Sequence, residues 1–340
     1  MIGKRMKRAA RGALSLVLAT QLALPGMLAA APERRDLQVE GLVQELREGA
    51  ALWVLAVGVS NYQDPRISLQ YADNDAVSIA KMLKSQQGLL FREVFTHVLV
   101  NEYATREAIL DAMSRFLGQA AANDVVLIFM AGHGLQDRQT GTYYFVPYNA
   151  TADNLVYAGL PMPMFEEACK RLQTNVSKLI FWLDTCHSGA VSVAARGVSV
   201  GEDLAQALKQ AEGQYWLSAS KAGEESYEDE SYRLEGERRA HGAFTYSILR
   251  GLEGGAADAQ GVVWISDLFT HVSKEVPRMT TGRQHPHWQL SGTNLPLFVV
   301  NEQSLAAVSQ ASVASDFAPG PLGPAPAAAR GGSKKWLYLL

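Results

Sequence analysis

Two short motifs hold the side chains best suited to chemistry. Residues 131–134 read Ala-Gly-His-Gly, and residues 184–189 read Asp-Thr-Cys-His-Ser-Gly. A thiol that titrates near pKa 8.5 is a weak nucleophile until a neighbour takes its proton, so Cys186 needs a base. His133 is the best placed of the 7 histidines. Glycine on either side leaves room around its ring and lets a substrate backbone approach. The amides of Gly134 and Cys186 are candidate donors to the oxyanion of a tetrahedral intermediate. Together these residues read as the nucleophile, base and oxyanion site of an acyl-transfer centre. The bland alternatives are a disulfide between Cys186 and the other cysteine, Cys169, or an inert core thiol, and for His133 a structural histidine. Cys169 itself reads as a small buried hydrophobe, and His187 as an exposed residue that does not compete as base.

Positioning these groups requires two strands side by side. Residues 125–130 (VVLIFM) and 179–183 (LIFWL) are unbroken apolar runs, each ending in one of the motifs. Runs of this length, rich in β-branched and aromatic residues, predict strands buried on both faces, as in parallel sheets. Reactive groups at the carboxyl ends of such strands sit where open α/β sheets bind ligands. Further strands are predicted at 51–59, 94–100, 215–219 and 295–300. Helices are predicted at 76–85, capped by Asp73, Asn74 and Asp75, and at 105–117, capped by Thr105, with others at 164–172, 244–252 and 264–276. Residues 137–142 form a turn into a short hairpin at 143–147. The alternation of strand and helix is that of an α/β domain with a parallel sheet and helices on both faces. Residues 221–239 are highly charged and predict an exposed loop.

The chain has 340 residues, 48% hydrophobic and 19% charged, with a net charge of −3. The near-neutral balance gives no ground for a nucleic-acid partner. Residues 1–31 carry an address. Lys4, Arg5, Lys7, Arg8 and Arg11 precede an apolar run at 13–24, then Pro25-Gly26 and three alanines, the pattern of a secretory signal peptide. The alternative is an uncleaved N-terminal anchor. Either way an exported domain is expected, periplasmic or secreted, or held at a membrane. Residues 32–49 are a charged lead-in, 50–302 the folded domain and 303–333 an Ala/Pro/Gly-rich linker. Residues 334–340 (KKWLYLL) resemble the start of a membrane segment with a basic flank, a second candidate tether.

The paired motifs AGHG and DTCHSG resemble those of caspase-like cysteine peptidases, and are most similar to bacterial metacaspases. LAVGVSNY at 55–62, YADNDA at 71–76, LSAS at 217–220, HGAFTYSILRGL at 241–252 and QHPHW at 284–288 extend the likeness over residues 51–300. The resemblance implies a caspase–haemoglobinase fold with a six-stranded, mostly parallel sheet. It also implies hydrolysis of protein or peptide substrates by a His–Cys dyad without an obligatory third residue. It further implies cleavage after Arg or Lys, with an acidic pocket built from Asp75 and Asp184. Alternation along a strand puts Asp184 and Cys186 on the same side, where a carboxylate suits a basic P1 residue. Ala72 and Ala131 stand where the family often has Cys and Ser, so the choice between Arg and Lys stays open. A caspase-fold binding or sensor module with a silent dyad is the alternative function.

Other candidates are weaker. No cofactor is required by this chemistry, and no metal site is expected. Calcium is an activator in many metacaspases, but Glu224, Glu225, Glu228, Asp229 and Glu230 lack an EF-hand spacing and read as a solvated face. His285 and His287 lack a third ligand. Arg196, Arg233, Arg238 and Arg239 are candidate self-cleavage sites for an Arg-selective enzyme, or simply solubilise their loops.

Overall fold

The computed structural model describes residues 30–137, 139–187, 213–221 and 224–301. Its elements run α1 Ala30–Gly49, β1 Ala51–Gly58, α2 Ala72–Lys84, β2 Glu93–Val100, α3 Arg106–Asp111, β3 Val125–Gln136, β4 Tyr143–Phe145, α4 Leu155–Ala158, β5 Leu160–Pro161, α5 Met162–Gln173 and β6 Lys178–His187. They continue with β7 Gln214–Ser218, β8 Glu228–Asp229, β9 His241–Gly242, α6 Ala243–Arg250, β10 Val262–Trp264, α7 Ile265–Met279, β11 His287–Ser291 and β12 Pro296–Val299. The signal-peptide, linker and C-terminal tether expectations, with Arg196, lie outside the described residues. The described residues from Gly41 onward form one compact unit. Among the described residues no helix is long and apolar enough to cross a membrane.

The central sheet follows the order β11-β7-β6-β3-β1-β2, with the β4–β5 pair attached beyond the end of β3. β2, β1, β3, β6 and β7 are mutually parallel, and β11 joins β7 antiparallel. Unalternated apolar runs become strands because both faces are covered. Leu52, Val54 and Ala56 of β1, with Val125, Leu127 and Phe129 of β3 and Ile180 and Trp182 of β6, pack under α2, α6 and α7. Their alternates Trp53, Leu55, Val126, Ile128, Leu179 and Phe181 pack on the other face with α5 and the α3 segment. Period two thus divides each run between two cores. Cys169, on α5, is fully buried in the second core and carries a free thiol that burial pushes well above its ordinary pKa.

The helix expectations hold with adjustments. Thr105 caps α3 by accepting from the Ala108 amide, and Ile109, Met113, Phe116 and Leu117 are all buried. The helix widens into a π turn over Ala112–Phe116. Asp73, Asn74 and Asp75 do not cap α2 from outside. They lie within its first turn, and Tyr71 takes the cap position without a side-chain bond.

Three further expectations are corrected. The last apolar run is not a strand of the central sheet: β12 pairs with β10 in a separate two-stranded sheet, Leu297 and Phe298 fully buried. An apolar run reports burial, and here the burial comes from helices. The sixth strand is instead β11, in a stretch of mixed polarity whose Trp288 is exposed, as suits an edge strand with one open side. Nor is 221–239 simply an exposed loop. β8 pairs with β9, Leu234 is buried, and Glu228 crosses to the start of α2, where Oε2 accepts from the Gln70 amide (2.9 Å) and Oε1 from the Tyr71 amide (3.1 Å). A carboxylate at a helix N-terminus satisfies otherwise orphaned N–H groups and suits the helix dipole. Glu228 is therefore not part of a solvated face.

Candidate active site

Both motifs continue their strands instead of ending them. β3 runs on through the AGHG motif and β6 through Asp184-Thr185-Cys186-His187, so the parallel ladder pairs His133 with Cys186, and Ala131 with Asp184. The predicted base and nucleophile are direct register neighbours at the carboxyl end of the sheet. A backbone distortion makes room at this point. Gly132 has φ +154°, and a Cβ there would stand 2.9 Å from Tyr62 Oη and 3.1 Å from the Phe145 ring. Only glycine allows that approach without strain.

The loop after β1 sets the imidazole. The Tyr62 hydroxyl accepts the His133 backbone N–H at 2.8 Å, and the two rings lie 5.2 Å apart at 32°. The Ile67 carbonyl lies 2.8 Å from Nε2 of His133. A carbonyl only accepts, so Nε2 carries the proton and a neutral ring keeps its lone pair on Nδ1. Burial lowers the His133 pKa, with the Ile67 carbonyl opposing. The ring is thus neutral at neutral pH, the state a general base requires. Gly134 stands between Phe145 of β4 and His187 of β6 in the register.

The two candidate pocket acids converge. Asp75 is 1% exposed and Asp184 7%. Both meet Gly242: a Cβ on that glycine would stand 3.2 Å from Asp184 Oδ2 and 3.3 Å from Asp75 Oδ2. Asp75 accepts from the Gly242 amide (Oδ2, 3.2 Å) and from His241 Nδ1 (Oδ1, 2.7 Å). The other nitrogen of His241 bonds Glu237 Oε2 at 2.5 Å. Asp184 Oδ1 has no hydrogen-bond partner among the described residues. Burial, then the nearby Asp75 charge, pushes the Asp184 carboxyl up to about 8, with the Ser226 hydroxyl opposing. Burial also raises Asp75, against the stabilising bonds from His241 and Gly242.

A second polar cluster supports the same region. Asp73 accepts from the Ser60 hydroxyl (2.8 Å), from Asn101 Nδ2 (3.2 Å) and from both terminal nitrogens of Arg239 (2.7 and 3.1 Å). Asn101 in turn accepts the Ser60 and Asn61 amides, and it holds φ +49° to do so. Asn74 donates to the Ala240 carbonyl at 3.0 Å. The first turn of α2 is thereby clamped residue by residue to segment 239–242. The charge pattern of Asp73-Asn74-Asp75 was visible in the sequence, but its partners were not. Tyr62 ends the LAVGVSNY motif, where nothing in the sequence gives it a role. Ile67 acts through its carbonyl, which no side-chain pattern reports.

The remaining candidates are dispersed. Arg233 and Arg238 are exposed, whereas the Arg239 guanidinium is held by Asp73 and the Gln70 carbonyl. His285 bonds Glu224 through Nδ1 (2.8 Å), and His287 lies on β11. Among the described residues no cluster of three or more His, Cys, Asp or Glu side chains is arranged to hold a metal.

The structure is thus an α/β domain whose parallel sheet brings a histidine and a cysteine into register on adjacent strands at its carboxyl edge. The caspase domain matches residues 51–297, well over half of the sequence, and the chain belongs to that family. It is similar to Metacaspase-1 of Schizosaccharomyces pombe, 30% identical over 143 residues that make up 40% of this chain and 33% of that protein. The chain thus spans about a third of the length of that curated relative. A solved structure of a protein from Geobacter sulfurreducens aligns with a TM-score of 0.49 and 16% identity, over 74% of this chain and 100% of that one.

Proposed function

We propose that this caspase-family chain is an endopeptidase that cleaves proteins or peptides after Arg or Lys, with Cys186 as nucleophile and His133 as base. The observation that supports the basic preference is the pair of buried carboxyl groups at Gly242, one of whose oxygens, Asp184 Oδ1, has no partner among the described residues. A buried acceptor left unpaired is costly, and two adjacent carboxylates call for a cation between them. A substrate guanidinium or ammonium would supply both donors and charge.

In this reading His133 Nδ1 takes the Cys186 proton and the thiolate attacks the scissile carbonyl carbon. The C=O electron pair moves to oxygen, where the amides of Gly134 and Cys186 receive it. The tetrahedral intermediate collapses with cleavage of the C–N bond, and His133 delivers its proton to the departing amine. Water, deprotonated by the same ring, then hydrolyses the thioester and regenerates the thiol. An exported location belongs to the proposal; the steps themselves require no cofactor, and calcium enters only as a candidate activator.

The test is hydrolysis of fluorogenic peptides that differ only at P1 (Arg, Lys, Asp), under reducing conditions, with and without calcium. Cleavage after Arg or Lys is expected, with a loss of at least a thousandfold in Cys186→Ala. Cleavage after Asp would retain the dyad and overturn the pocket. No cleavage under any condition would favour a binding or sensor module.

A further inference from the structure

We propose that His241 is a specificity-determining positioning residue: held between Asp75 and Glu237, it keeps the Asp75 carboxylate charged and turned toward Asp184, so that the pair selects a cationic side chain. The inference rests on the basic-P1 reading above and assigns the selectivity of that pocket to a residue that touches neither substrate nor dyad.

The argument begins with hydrogen-bond inventory. His241 is fully buried, with Nδ1 2.7 Å from one carboxylate and Nε2 2.5 Å from another. Ionised carboxylates only accept, so both ring nitrogens are donors and the ring is an imidazolium. Burial by itself would lower the His241 pKa, but Asp75 and Glu237 outweigh it and raise it to about 9. A buried cation so bonded opposes the rise that burial imposes on the Asp75 carboxyl, favouring its charged form.

The next residue does the spacing. Gly242 gives its N–H to Asp75 Oδ2, and its missing side chain leaves the space where Asp75 and Asp184 approach. The dipeptide His241-Gly242 thus orients one carboxylate and admits the other. Two close buried carboxylates do not both ionise readily. With His241 charged beside Asp75, Asp184, pushed up to about 8, is the member that holds a proton and releases it when a cation enters. Arg239 does not take over this part, since it is bound to Asp73 and the Gln70 carbonyl. Glu228, also facing the pair, is turned to the amides of Gln70 and Tyr71.

The test compares the full chain with Glu237→Gln and His241→Asn on two peptides, one with Arg at P1 and one with citrulline, which has nearly the same shape without the charge. Wild type is expected to favour Arg strongly. In both variants the Arg-to-citrulline ratio of kcat/KM should fall at least tenfold, carried by KM for the Arg peptide. A structural role alone would depress both peptides together, and a ratio within twofold of wild type would overturn the inference. If His241→Asn fails to fold by circular dichroism, Glu237→Gln decides, because Glu237 is 29% exposed and its loss does not open the core. A wild type that cleaves both peptides equally, or neither, overturns the basic-P1 reading and the inference with it.

Discussion

At the scale of residues, the site is a set of polarised groups whose protonation states follow from their neighbours. The Ile67 carbonyl fixes the His133 tautomer, and Tyr62 fixes the backbone that carries it. Tyr62→Phe keeps the ring and removes the acceptor that holds the His133 N–H. Loss of a part-buried bond of this kind costs about 1–3 kcal/mol, so kcat should fall by roughly tenfold or more with KM little changed, as steady-state kinetics on an Arg peptide would show. The pocket makes a second prediction. Asp184 is protonated up to about pH 8 in the free protein, and a cation binds the ionised form better. For Arg peptides kcat/KM should therefore climb with pH toward 8 and level off. In Asp184→Asn that limb should vanish, leaving only the titration of His133 at lower pH. A limb that persists in the variant would mean that another group controls it.

At the scale of elements, the sheet is what brings the motifs into register. β3 and β6 pair over ten positions, from Val125↔Lys178 to Gly134↔His187, so a slip of one residue would separate His133 from Cys186 and turn every apolar side chain to the wrong core. Trp182, fully buried on β6 four residues before Cys186, anchors that register against the α2 side. Trp182→Ala should cost about 3–5 kcal/mol of stability, measured by urea unfolding. It should also lower activity beyond what the unfolded fraction explains, because the strand it anchors carries the proposed nucleophile, Cys186. A loss under 1 kcal/mol would mean that the core collapses around the gap.

At the scale of the whole molecule, the buried charges set how stability responds to pH. Asp184 is raised from 3.8 to about 8 and His241 from 6.5 to about 9. In each case the folded state binds more protons than the unfolded one between the two values, so stability falls as pH rises through that window. The Asp184 contribution is complete below about pH 4 and lost by about 8; that of His241 is complete below about 6.5 and lost above about 9. The melting temperature should therefore fall from pH 6.5 to 9.5, and Asp184→Asn should fall less over pH 6.5 to 8, as calorimetry across that range would show. An identical profile in the variant would show that Asp184 does not titrate there.

Much of this was legible before any coordinates. Unbroken apolar runs announced strands buried on both faces, because covering both sides of a strand removes the need to alternate. The motifs at their ends named the thiol and the imidazole, because few residue types can perform that chemistry. Local patterns failed where a partner is distant in sequence. The acids of α2 looked like caps and instead bind residues 239–242; Glu228 looked solvated and instead caps α2 from more than 150 positions away. The edge strand β11 leaves little signal because one open side asks little of its residues, whereas LPLFVV, rightly a strand, reads as part of the central sheet because burial under helices leaves the same apolar signature. The sequence by itself determined the fold class and marked the candidate pair, since both depend on residue type and local period. Only the tertiary structure decided which groups orient that pair and which neutralise the pocket acids, since hydrogen bonds and charges act through space between segments that no period connects.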